Sequence, residues 1–148
     1  MTIAQGAIVA KLVQLLGAAP ALASIPVYRN RLRPLSDTRA RAVVVRKSGS
    51  DPAGAPLLGQ GVDYLTQIRV ECYARGSDAQ AADEACDELL QLAHAVVVAN
   101  PTLDGLCMAI DPPRLGWDED DLDSTIGAAI AQYQVLHRAD PSTLAAAA

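Results

Sequence analysis

Chemistry in this chain would have to come from two histidines, three cysteines and one dense acidic run. His94 falls eight residues after Cys86 on one predicted helix, a rise of about 12 Å. A nucleophile and its base must come within hydrogen-bond reach, so the two do not make a dyad. Cys72, Cys86, Cys107 and His94 lack the paired spacing that zinc ligands show. His94 reads instead as a solvated side chain on the polar side of its helix. His137 ends the last predicted strand beside Arg138, with no partner visible in the sequence. The run Asp118-Glu119-Asp120-Asp121-Leu122-Asp123 fails a calcium-loop test, because Leu122 stands where an oxygen ligand is needed and Asp123 where glycine is needed. It reads as a solvated acidic loop. Phosphate-binding, dinucleotide-binding, nucleophile-elbow and zinc-protease motifs are all missing. No catalytic, metal or cofactor site is expected, and the cysteines read as buried free thiols in a reducing compartment.

The elements that position these residues centre on 62–99. Val62, Tyr64, Thr66, Ile68, Val70 and Cys72 alternate with Asp63, Gln67, Arg69 and Glu71, the signature of a strand buried on one side. Arg75-Gly76-Ser77 breaks the alternation, and Ser77 or Asp78 is placed to cap a helix. Ala82, Ala85, Leu89, Ala93 and Val96 then recur at helical steps, widened by Cys86, Leu90 and Val97. Asn100-Pro101 ends the run.

Ahead of this unit, residues 2–17 predict an amphipathic helix capped by Thr2 and stopped by Gly17. Val27–Leu32 predicts a short strand with Arg29, Arg31 and Arg33 on one face, which must meet solvent or a partner. Arg39–Lys47 predicts a second strand. Residues 48–61 carry four glycines and two prolines in 14 residues and no period, so they read as a long mobile hairpin loop that includes Ser48, Gly49, Asp51, Gly54, Gly59 and Gly61. Such a loop is either decoration or a functional arm. Downstream, Gly105–Asp111 predicts a short strand cut off by Pro112-Pro113, and Ile126–Arg138 a final strand apolar on both faces. Residues 139–148 read as a frayed tail. The expected fold is α+β, one domain over residues 1–148, with two helices packed on one face of a mainly antiparallel sheet in the order α-β-β-β-α-β-β.

Composition narrows the function classes. The chain is 51% hydrophobic yet has no phenylalanine, so its core is aliphatic. A net charge of −5 gives no general affinity for nucleic acid or anionic membrane. Signal-peptide and transmembrane patterns are not found. Charge is segregated: seven of the twelve basic residues lie between Arg29 and Lys47, and five of the seventeen acidic ones between Asp118 and Asp123. Exposed pairs within a monomer contribute only about 0–1 kcal/mol each. Complementary patches do more for docking in a fixed register, so a head-to-tail contact that closes into a ring competes with a charge-decorated monomer. The interface candidates are Arg29, Arg31, Arg33, Arg39 and Arg41 on one side and Asp118, Glu119, Asp120, Asp121 and Asp123 on the other.

An N-terminal helix, PVYRNRLRPL, a long loop, YLTQIRVECYARGSD, an alanine-rich acidic helix and a closing IAQYQVLHRADPSTL together resemble the tail terminator, or tail completion, proteins of long-tailed bacteriophages (minor tail protein U-like). Tyr73-Ala74-Arg75 and Tyr133, Val135, His137 and Arg138 stand at the places of the family's Y-A/S-polar turn and Y-x-V-x-[YH]-R segment. The resemblance covers nearly the whole chain, and none of its motifs is chemical. It implies a non-enzymatic virion protein, assembled in the host cytoplasm without cofactor or membrane. In the tail it would form a hexameric ring on the head-proximal end of the tail tube. That ring ends tube polymerisation and joins tail to head, so its partners are other copies of itself, the tail tube protein and a head-completion or neck protein, with DNA only in passage. A monomer in solution is compatible with this. Other small head–tail connector or neck proteins share the pattern, and a small ligand-binding or enzymatic α+β domain is the alternative from another class.

Overall fold

The computed structural model describes residues 2–30, 40–54, 61–119 and 125–147. In chain order these form α1 (Ala4–Ala18), a 3₁₀ turn (Pro20–Leu22), β1 (Val27–Arg29), β2 (Arg41–Pro52), β3 (Val62–Arg75), α2 (Ala82–Ala99), β4 (Ala109–Ile110), β5 (Arg114–Glu119) and β6 (Ile126–Ala139). β3 lies in the middle of the sheet, antiparallel to β2 on one side and to β6 on the other. β1 adds to β2 in parallel. β4 and β5 both pair antiparallel with β6 along its remaining edge, with Pro112-Pro113 interrupting between them. The fold is α+β, a mainly antiparallel mixed sheet with both helices on one face.

Alternation decides which face is covered. Val43, Val45, Ile68, Val70, Cys72, Ala129, Ala131, Tyr133 and Val135 point to the helices and join Ile8, Leu12 and Leu16 of α1 and Ala85, Leu89 and Ala93 of α2 in one buried cluster. Small residues let α2 come close. A Cβ on Gly127 would sit 3.0 Å from the carbonyl oxygen of Ala82 and 3.3 Å from the Cys86 sulfur. A side chain there would press on the first turn of α2, which would have to give by a few tenths of an ångström.

Several boundaries differ from expectation. α1 begins at Ala4 with Ile3 as an N-cap that makes no side-chain bond, so Thr2 is not its cap. Gly17 lies inside the helix, which ends before Pro20. α2 begins at Ala82, and Ser77 with Gln80 forms a separate backbone-bonded turn instead of capping it. Asp83 and Glu84 supply the negative charge that the N-terminal helix dipole favours. Of the expected loop, Ser48, Gly49 and Asp51 are strand: β2 runs through to Pro52 opposite Tyr64. Gly54 and Gly61 flank the hairpin end, and Gly59 lies outside the described residues. Among the described residues β1 pairs only with Val43–Val45 and none pairs with the outer side of 47–52, the kind of edge position where glycine and proline are tolerated.

Of Gly105–Asp111, only Ala109–Ile110 is strand, while Gly105 and Leu106 close the turn that follows α2. The stretch Arg114–Glu119, expected as part of a loop, is a strand. The tail is tied down as well. Asp140 Oδ1 accepts from Ser142 N (2.8 Å), Ser142 Oγ (2.7 Å) and Thr143 N (3.0 Å), bonds that hold its carboxyl below the usual carboxylate range. Ala4 N donates to the Leu144 carbonyl at 2.7 Å, and Ala147 N to that of Arg138 at 3.1 Å.

Candidate functional site

The described members of the charged set, Arg29, Arg41, Asp118 and Glu119, lie toward opposite lateral edges of the sheet. Arg29 is exposed on the edge strand β1, with its guanidinium beside the first turn of α1 at Gly6. Arg41 opens β2. Asp118 is exposed on β5, and Glu119 ends that strand. Register sets Arg41, Ala74, Gly127 and Glu119 in one row across four strands. At a spacing of about 4.8 Å per strand, the two ends of that row are about 14 Å apart. Among the described residues, the basic and acidic ends of that row are therefore not brought together within one chain. Arg31, Arg33, Arg39, Asp120, Asp121 and Asp123 lie outside the described residues.

The face without helices carries a cluster that the sequence did not reveal. Glu71 is only 3% exposed. Its carboxylate accepts from Arg46 Nε at 3.0 Å and Tyr73 Oη at 2.8 Å, and Arg69 Nη2 lies 3.3 Å away. A buried carboxylate is tolerable only with such partners. Burial, followed by the bond to Glu71, pushes the Tyr73 phenol up to about 12. Alternation had put Glu71 on the wetted face, and it is on that face. Ala42 and Val44, beside it on that face, are fully buried as well. Further along the same face, Arg138 Nε donates to Asp63 Oδ1 at 2.8 Å, which draws the Asp63 carboxyl down.

The helix-bearing face changes character toward the hairpin end, where apolar core gives way to a polar chain. Gln5 Nε2 donates to Ser50 Oγ at 3.0 Å, Ser50 Oγ lies 2.7 Å from Thr66 Oγ1, and Thr66 Oγ1 lies 2.6 Å from His137 Nε2. Thr66 and His137 are fully buried, and the His137 ring stacks on Tyr64 with centroids 6.0 Å apart. Burial lowers the His137 pKa, partly opposed by the charge of Asp63. The chain forms one wall of a pocket of about 430 Å³, with Ile3, Tyr64 and Leu144 as apolar wall and Lys47 at its side. A β-bulge between Lys47 and Gly49 builds this arrangement. Lys47 pairs with Ile68 and Ser50 with Thr66, so residues three apart share a face that regular alternation would split between them.

His94 is not simply solvated. It is half-buried, its Nδ1 is 2.7 Å from the Tyr133 hydroxyl, and the two rings stack at 5.9 Å. The last turns of α2 lie over Tyr133, and that packing gives the imidazole its partner. Cys72, Cys86 and Cys107 are buried free thiols. Burial pushes Cys72 up to about 12 and Cys107 up to about 11, and raises Cys86, which makes all three poor nucleophiles. Among the described residues, no group of three His, Cys, Asp or Glu is placed to hold a metal, and no helix is long and apolar enough to cross a membrane. Neither a protein-family model nor a curated protein matches the chain.

Proposed function

We propose that this protein acts by assembly rather than catalysis. In this reading copies form a ring at the head-proximal end of a phage tail tube, where the ring ends tube polymerisation and joins tail to head. The observation that carries it is the placement of opposite charges at opposite sheet edges, with Arg29 and Arg41 on the β1–β2 side and Asp118 on β5. Charges so arranged cannot neutralise one another in one chain. They are suited to meeting across a head-to-tail contact, the kind that closes into a ring. Leu115 and Trp117, 52% and 58% exposed near the acidic edge, supply apolar area to such a contact. The sequence resemblance to tail terminators sets the place of the ring in the virion. Its partners are then further copies of this chain, the tube protein and a head-completion or neck protein.

Electron microscopy of tail tubes assembled with and without the protein tests the terminator role. Uncontrolled tube length without it is the expected result, and unchanged tubes reject the role. The ring contact is tested by charge reversal. Arg41→Glu and Asp118→Lys should each abolish capping, and the double variant should restore it. Capping that survives both single changes would remove the charge pairing. A second reading, a small ligand-binding α+β domain, is favoured by one observation, the pocket over the Ser50–Thr66–His137 chain.

A further inference from the structure

Hydrogen-bond direction shows what that pocket offers. His137 Nδ1 is buried with no partner. A proton there would leave an N–H unpaired in the interior, so the less costly tautomer carries it on Nε2. His137 then donates to Thr66, and the Thr66 hydroxyl passes its own proton to Ser50. Ser50 Oγ also accepts from Gln5, which occupies both of its lone pairs. Its O–H is left free to donate into the pocket. Gln5 lines the same space, is 6% exposed, and its Oε1 is buried without a partner. That oxygen is closed off from the pocket, so Gln5 serves it only through the bond to Ser50. Lys47 adds a cation with no ion-pair partner among the described residues. Ile3, Tyr64 and Leu144 complete the wall with apolar surface.

We propose that this pocket binds an apolar carboxylate, with the carboxylate on Lys47 and Ser50 and the apolar part against Ile3, Tyr64 and Leu144. The carboxylate answers the donors the protein leaves unsatisfied there. A volume of about 430 Å³ falls within the range of small-ligand sites, roughly 300–1,000 Å³. The chemistry is shared by a free apolar acid and by the C-terminal residue of a polypeptide. The site is separate from the proposed ring contact. Ser50 lies nine residues along β2 from Arg41, about 30 Å at the rise of a strand.

The test is a titration of the full ¹⁵N-labelled chain with N-acetyl-L-leucine, followed by the Gln5 side-chain amide and the backbone signals of Ser50 and Thr66. A saturable shift at these groups is expected. N-acetyl-L-leucinamide, which lacks the carboxylate, should bind at least about tenfold more weakly, and 4-methylpentanoate, which keeps it without the amide, about as well. Lys47→Ala, an exposed site where folding is not at issue, and Ser50→Ala should each weaken binding by about tenfold. Acetyl-Ala-Ala-Leu separates the sources. Tighter binding than N-acetyl-L-leucine identifies a polypeptide terminus, and weaker binding a free small molecule. Absence of a saturable shift, equal binding of all three small probes, or binding unaltered by Lys47→Ala overturns the proposal. Arg41→Glu should leave the titration unchanged, so failure of ring assembly and failure of this site give different results.

Discussion

The two faces of the sheet bury their residues by different means. On the helix-bearing face, Ile68 and Val70 are fully buried beneath α1 and α2, and Leu89 of α2 is fully buried in the same cluster. On the other face, where no described helix lies, Ala42 and Val44 are fully buried too, and among them Glu71 is almost as inaccessible, bonded by Arg46, Arg69 and Tyr73. The first arrangement gains from apolar area and close packing. The second satisfies a charge at a cost in desolvation and adds little net stability, but it tolerates loss of a partner poorly.

Mutation can sharpen this contrast. Leu89→Ala should be the most damaging change, lowering unfolding free energy by about 3–4 kcal/mol through lost transfer and a residual cavity. Chemical denaturation measures it, and a loss below about 1 kcal/mol would mean that the interface relaxes freely. Glu71→Gln should cost about 2–3 kcal/mol, less than for a fully enclosed pair because both arginines keep water contact. Replacing Arg46, Arg69 and Glu71 together by apolar residues of similar volume should recover most of that loss. If the triple variant were as unstable as Glu71→Gln, the cluster would be contributing net stability and the contrast between faces would fail.

The smallest effect expected is on pH dependence, at the polar end of the covered face. Burial depresses the His137 pKa in the folded chain below its unfolded value near 6.5. Unfolding therefore takes up a proton as pH falls. The stability tied to a neutral His137 is complete above pH 6.5 and diminishes below it, through the folded pKa. Thermal melts between pH 7.5 and 5 should show this acid limb, and His137→Gln should flatten it. An unchanged slope in that variant would assign the limb to other groups.

How much of this was legible depended on the range of the interactions. β3 and α2 were readable because Val62–Cys72 and Ala82–Val97 each hold a single period long enough to dominate their neighbours. β5 was hidden although Leu115 and Trp117 alternate with Arg114, Gly116 and Asp118, since the acidic run beside it gave the stronger signal. Ser48–Pro52 looked like loop because Gly49 and Pro52 are poor strand residues except at an edge, and edge position is a tertiary property. Thr66 and His137 lie 71 residues apart. Nothing local marks that they meet, and the same holds for Gln5 with Ser50. The charge segregation was visible from the start, whereas its distribution to opposite edges required the strand order.

The prolines at 112 and 113 limit how another strand can join the sheet beside β6. They divide that border into a two-residue and a six-residue stretch, so an incoming chain finds two short landing places in place of one continuous ribbon. Long in-register stacking of copies, the route by which exposed borders seed fibrils, is thereby blocked. A contact at β5 can extend over only a few backbone bonds, which leaves the choice of neighbour to the side chains that border it.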